Sequence, residues 1–176
     1  VSSAWWWAEG RRPGFVVEAA GRSSLLRAGE WMTAPGETVV RIGEIGQVSL
    51  APGSRVRAES ARTGAFRLRL EQGRLQALIV APPRSFAVDT PSARAVDLGC
   101  AYTLEVEPGG RSTVRVQAGW VAFERDKREV FIPTGARCRT GAGVGLGLPV
   151  YEDASAELGW AVEAWEEGRG WVMPAG

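Results

Sequence analysis

In Phe66, Leu68 and Leu70 the apolar side chains fall at every second position with Arg67 and Arg69 between them, and Tyr102, Leu104 and Val106 repeat the arrangement around Thr103 and Glu105. A period of two sends the apolar groups to one face of an extended strand and the polar groups to the other; a helix would scatter both around its circumference. Breakers interrupt these runs: Pro52 and Gly53, Gly64, Gln72 and Gly73, Pro82 and Pro83, Pro91, Pro108 to Gly110, Gly119, Pro133 to Gly135. Strands cut at intervals of roughly ten residues predict an all-β single domain of many short antiparallel strands, built as a β-roll, a solenoid-like coil or a sandwich. The plainest hairpin joins 101–107 to 112–118 across Pro108, Gly109, Gly110 and Arg111.

A chain of 176 residues is long enough to bury a core of this kind. Its net charge of +1 supplies no global field for nucleic acid. Lys127 is the single lysine, and the sequence lacks histidine and asparagine, which removes N-linked sequons. Without histidine, Ser-His-Asp and Cys-His catalysis and the helical zinc-protease motifs are impossible. Asp89 and Asp97 are the best carboxylate pair for hydrolysis, but aspartates beside proline and glycine ordinarily make turns. The run Gly141 to Leu148 invites a phosphate-loop reading, yet it lacks both the GxGxxG spacing and the Walker lysine; an extended strand with one bare and one apolar face fits better. We therefore expect no enzyme, no cofactor, no metal site and no small-molecule substrate. The expected partners are other protein chains, copies of this one included.

Glycines preceding apolar runs, at Gly46, Gly73 and Gly119, form an irregular echo compatible with a coil of short strands. One segment departs from the β pattern. Leu158, Val162 and Trp165 lie at helical spacing, with Asp153 or Ser155 to cap and Gly168 to stop, which predicts one short C-terminal helix. The chain thus divides into a Trp-rich N-terminal strand segment (1–23), an all-β domain (24–150), and a C-terminal helix and tail (151–176).

The runs GEWMTAPGETVVRIGEIGQVSLAPGSRVRAES and FRLRLEQGRLQALIVAPPRSFAVDTPSARAVDLGCAYTLEV, with the later VRVQAGWVAFE and VFIPTGARCRT, resemble the FecR family over about residues 24 to 155. The resemblance implies an all-β periplasmic domain that relays a signal by protein contact, usually from an outer-membrane transporter to a membrane-anchored anti-sigma segment. It places Phe86 and Val88 in the core, makes Asp89 and Thr90 the start of a turn before Pro91, and offers no catalytic residue. Family members commonly carry a cytoplasmic helical region and a membrane helix ahead of this domain. Only the sensor-type part is carried over, with any membrane tether outside this chain. A start at Val1 fits an exported chain, and the expected location is extracytoplasmic.

In an exported protein the two cysteines, Cys100 and Cys138, suggest a disulfide whose chain-entropy contribution would be about 4 kcal/mol; two buried thiols are the alternative. Trp5, Trp6 and Trp7 crowd one end of the chain and Trp160, Trp165 and Trp171 the other; the domain's own core, a neighbouring subunit or the remainder of a membrane anchor are the candidates to cover the N-terminal three, and all six are nominated as interface residues. Arg55, Arg57, Arg62, Arg67, Arg69 and Arg74 form a basic cluster that could face Glu157, Glu163, Glu166 and Glu167, or could simply be solvated. Two functions follow: a FecR-like regulatory module, or a structural subunit that assembles into a filament or surface layer through its Trp-rich ends and sheet edges.

Overall fold

A computed structural model describes residues 14–141 and 145–151. Within them the chain is all β, in two sheets joined by one long strand, β7 (Ala65–Ile79). The first sheet runs β2 (Arg22–Arg27), β1 (Gly14–Ala19), β4 (Thr38–Ile42), β5 (Gly46–Leu50), the C-terminal half of β7, β10 (Ala101–Val106), β11 (Ser112–Ala118), β14 (Ala136–Gly141) and β16 (Val150–Tyr151). The second runs β3 (Trp31–Thr33), β6 (Arg55–Arg62), the N-terminal half of β7, β8 (Phe86–Asp89), β9 (Arg94–Asp97), β12 (Trp120–Arg125) and β13 (Arg128–Pro133). A short β15 (Gly145–Leu146) folds back on β14. Neighbours are antiparallel except β7 and β8, which run parallel. Neither sheet closes, so among the described residues β13 pairs with β12 alone.

Alternation in β7 changes phase midway: Phe66, Leu68 and Leu70 are buried, then Leu75, Ala77 and Ile79. The shift occurs at Gly73, whose φ of 104° is open to glycine and strained for other residues. Distance requires a bend there. Residues Ile79 and Phe86 can be at most about 25 Å apart along the connecting chain, and Phe86 lies beside Phe66 in the parallel pair. A straight β7 would hold Phe66 and Ile79 roughly 43 Å apart, too far for that connection to span. The turn between β4 and β5 meets both ends of the bent strand: a Cβ on Gly43 would lie 2.7 Å from Phe66 Cζ, and one on Gly46 would collide with the Leu78 carbonyl.

Folded this way, the sheets lay their apolar faces against each other. One row of the first sheet runs Val17, Val40, Val48, Ala77, Tyr102, Val116, and one row of the second runs Ala58, Leu68, Val88, Ala95, Phe123, Val130. Both belong to a single core, to which Phe15 and Val17 of β1 also contribute. The hairpin read at 101–118 forms as expected, with the Glu107 N–H donating to Arg111 O at 2.9 Å and the Gly110 N–H to Glu107 O at 2.8 Å.

The motif Asp89 to Ala93 makes the β8–β9 turn. Thr90 Oγ1 donates to Ala93 O at 2.8 Å and accepts from the Ala93 N–H at 3.0 Å. Beyond the turn, four hydroxyls interlock: Ser112 Oγ bonds Thr90 Oγ1 at 2.8 Å, Ser92 Oγ meets Ser112 Oγ at 2.9 Å, and Ser92 Oγ meets Thr140 Oγ1 at 2.8 Å. This network ties the second sheet to β11 and β14 of the first.

The structure differs from several expectations. Gln72 and Gly73 bend a continuous strand and do not end one. The glycine run is not one extended strand, because Gly141 pairs antiparallel with Gly145. No disulfide joins Cys100 to Cys138; both stand as buried thiols. Cys138 sits opposite Val114 and Val114 opposite Leu104, four residues beyond Cys100. The two are thus offset by roughly 13 Å along the strands and about 10 Å across them, beyond the ~7 Å that a bridge tolerates between Cα atoms. The expected C-terminal helix lies outside the described residues.

Candidate protein-binding face

Strand register places one side chain from every strand of the second sheet in a single row on its outer surface: Trp31, Arg57, Arg69, Asp89, Arg94, Glu124, Glu129. At one end Trp31 is exposed and lies under two guanidiniums, with Arg55 Cζ 4.8 Å and Arg57 Cζ 5.8 Å from its ring centre. Cation–π contacts of this kind fix the indole plane and bring two cations to the edge strand. At the centre, Asp89 Oδ1 accepts from Arg94 Nε at 2.6 Å, and Oδ2 pairs with Arg67 Nε at 3.0 Å.

At the other end Glu124 and Glu129 stand directly opposite each other across β12 and β13. Like charges so placed repel. Arg84 relieves them from outside the sheet. Its backbone N–H donates to Asp97 O at 2.7 Å, and its guanidinium reaches Glu124 Oε1 at 2.7 Å and also Glu129 Oε1. These two carboxylates hold the Arg84 guanidinium more firmly protonated than usual. The residue adopts φ 68°, a left-handed conformation that costs a non-glycine residue energy.

Row, bridge and the β12–β13 turn enclose an open cleft of about 660 Å³. Its cations are Arg69, Arg84, Arg94, Arg125, Lys127 and Arg128, and its carboxylates are Asp89, Glu124, Asp126 and Glu129. Asp126 and Lys127 form the turn with φ of 50° and 64°, where Asn-Gly is the usual choice. A second row in the same register, Arg67, Ala87, Val96, Ala122, Phe131, runs alongside, with Val96 and Ala122 buried within it. Its last member, Phe131, is 49% exposed, and Trp120 on the same face is 51% exposed.

Asp89 and Asp97, the carboxylate pair nominated from sequence, do not converge. Asp89 faces outward, whereas Asp97 sits opposite the buried Val121 on the core face and is 1% exposed. Its Oδ1 accepts from the Gly99 N–H and its Oδ2 from Cys100 Sγ, both at 2.7 Å. Burial pushes the Asp97 carboxyl upward, against the opposing effect of those hydrogen bonds. Burial, followed by the Asp97 carboxylate, pushes the Cys100 thiol far up, and the buried Tyr102 phenol rises for the same reason. Tyr102 OH has no hydrogen-bond partner among the described residues. The three groups have the residue types of a reactive site, but sealed in the core they present no surface to a substrate. Among the described residues no cluster of three or more His, Cys, Asp or Glu is placed to hold a metal.

Trp5, Trp6, Trp7, Trp160, Trp165 and Trp171, expected at an interface, lie outside the described residues. The exposed indoles within them are Trp31 and Trp120, which the sequence did not single out because each is isolated in the chain. Of the basic cluster, Arg57 pairs with Glu59, Arg67 with Asp89, Arg69 with Glu71 and Arg74 with Glu105. Four of its six arginines are thus paired within the sheets themselves, and Glu157, Glu163, Glu166 and Glu167 lie outside the described residues. Arg84, Glu124 and Glu129 were missed; they are 40 and 45 residues apart in the chain and only the fold brings them together.

The described residues thus form a two-sheet body with a charged outer face. The FecR protein family profile matches residues 30–122, and the chain belongs to that family. The match starts before Trp31 and ends within β12, so it takes in most of the charged row. No curated protein matches the chain. Two crystal structures of a "putative anti-sigma factor" from Parabacteroides distasonis ATCC 8503, at 1.65 and 2.50 Å, share its fold. Each is 17% identical, with TM-scores of 0.54 and 0.55 over 82% and 84% of this chain. This chain spans 64% of the length of those neighbours.

Proposed function

We propose that this chain is a non-enzymatic, signal-sensing regulatory domain that works outside the cytoplasm by binding other proteins through the outer face of its second sheet. Membership of the FecR family carries this reading, and the anti-sigma description of the neighbours that share its fold supports it. The charged row adds a physical reason. Seven strands contribute to it, so its side chains are held in fixed positions without any loop being ordered on binding, a cost that weakens association.

The test is made in the host. Replacing Arg69 and Arg94 by glutamate in the chromosomal gene is expected to change transcription of the same genes as deleting the domain, while the variant protein accumulates at normal levels. An alkaline phosphatase fusion to the C-terminus is expected to be active, as it is only outside the cytoplasm. An inactive fusion, or a deletion with no transcriptional effect, would overturn the proposal.

A further inference from the structure

We infer that the β12–β13 end of this face takes an extended acidic segment of a partner protein, added as a strand along β13. The inference rests on the protein-binding function proposed above and specifies its site and chemistry.

Charge is the first ground. All four carboxylates of the cleft are already engaged: Asp89 with Arg67 and Arg94, Glu124 and Glu129 with Arg84, and Asp126 with Arg125. Of the six cations, Lys127 and Arg128 form no ion pair among the described residues. They stand side by side at the tip of the β12–β13 hairpin, lining the cleft. A ligand that complements this rim must bring its own negative charge.

The backbone is the second ground. Among the described residues β13 pairs only with β12, and all six of its residues register against that strand. Among the described residues nothing pairs with the N–H and C=O groups on its other side, which are a template for one more strand. Exposed edges are usually blunted, and β13 carries Arg128 and Glu129 at one end and Pro133 at the other, leaving Val130 to Ile132 as the pairing stretch.

Side-chain alternation then fixes the segment's pattern. Glu129 and Phe131 point to the outer face, opposite Glu124 and Ala122. The incoming strand therefore needs carboxylates toward the Lys127 and Arg128 end and an apolar side chain beside Phe131. A small dicarboxylate would satisfy the two cations and leave the edge and the aromatic ring unused.

Fluorescence anisotropy of the full chain tests this with labelled octapeptides whose glutamates fill one half and valines the other, in either order, their counterparts with lysine in place of glutamate, and the glutamate and valine peptides with alternate amides N-methylated. Binding of the first kind is expected, weakening as salt rises. Replacement of Lys127 and Arg128 by glutamate, with the melting temperature unchanged, is expected to lower its affinity about tenfold or more, and N-methylation to do likewise. Absence of binding, equal binding of the lysine peptide, indifference to the double variant or to N-methylation, or full displacement by succinate would each overturn the inference. The host experiment separates the two levels. If deleting the domain alters transcription and Lys127→Glu with Arg128→Glu does not, the acidic-strand site fails and the regulatory function stands.

Discussion

Replacing Gly73 by alanine tests the bend on which the two sheets depend. At φ 104° a side chain is strained by about 1–3 kcal/mol. The new Cβ would also sit 2.5 Å from Ser54 Oγ and 2.6 Å from Ser54 Cα. Ser54 is fully buried and cannot move toward solvent. Its hydroxyl both accepts from the Arg74 N–H and donates to Arg74 O, each at 3.0 Å, and displacing it forfeits two hydrogen bonds at about 1 kcal/mol each. The total is about 3–5 kcal/mol, a large part of the ~5–15 kcal/mol that holds a domain folded. Urea unfolding followed by tryptophan fluorescence measures it: with a slope near 2 kcal/mol per molar, the midpoint falls by about 2 M. Gly64→Ala is the control, since Gly64 has φ 77° but nothing within 4 Å of the added carbon, so only the backbone strain remains. Equal losses at the two positions, or a loss at Gly73 below about 1 kcal/mol, would refute the clamp at Ser54.

Thr140→Val removes the hydroxyl that accepts from the Ser112 N–H and meets Ser92 Oγ, leaving buried groups unpaired at a cost of about 2–3 kcal/mol by the same urea assay. Because burial raises the Asp97 pKa above its usual 3.8, the native state holds that proton more tightly than the unfolded chain. Its stabilising contribution is therefore fully present below about pH 4 and is lost as pH rises through the raised value. Unfolding free energies measured from pH 4 to 7 should accordingly decline relative to those of Asp97→Asn, and an opposite slope would contradict the assignment. With both thiols buried and unbridged, a thiol-reactive dye should label neither Cys100 nor Cys138 in the native protein and both in denaturant, and dithiothreitol should leave the melting temperature unchanged.

Local pattern was legible wherever one strand and its turn decide the outcome. Alternation in Tyr102, Leu104 and Val106 with the Pro108 to Arg111 turn gave the hairpin and its pairing directly, and Phe86 and Val88 are buried as the family resemblance implied. Gly73 was recognised as an interruption but not as a bend, because period-two patterning is blind to whether a phase slip marks a loop or a kink in one continuous strand. The parallel pairing of β7 with β8 follows from that kink and had no local signature. The cysteine expectation rested on compartment and count, which carry no information on register, and register is what separates them. The charged row could not be read at all, since its seven members come from strands spread between Trp31 and Glu129, and charged residues on outward positions look alike until strand order is known.

The bend at Gly73 also governs when the protein can fold. Six strands precede β7, yet β2, β1, β4 and β5 have nothing to face until the opposite layer is anchored, and β3 and β6 are too few to form that layer. A growing polypeptide is therefore expected to gain its two-layer core only once residue 79 has emerged, and the remaining strands complete two halves that share one backbone. Partial products and half-melted forms are disfavoured for the same reason: β7 belongs to both layers and a single core lies between them, so loss of structure is expected as one cooperative event.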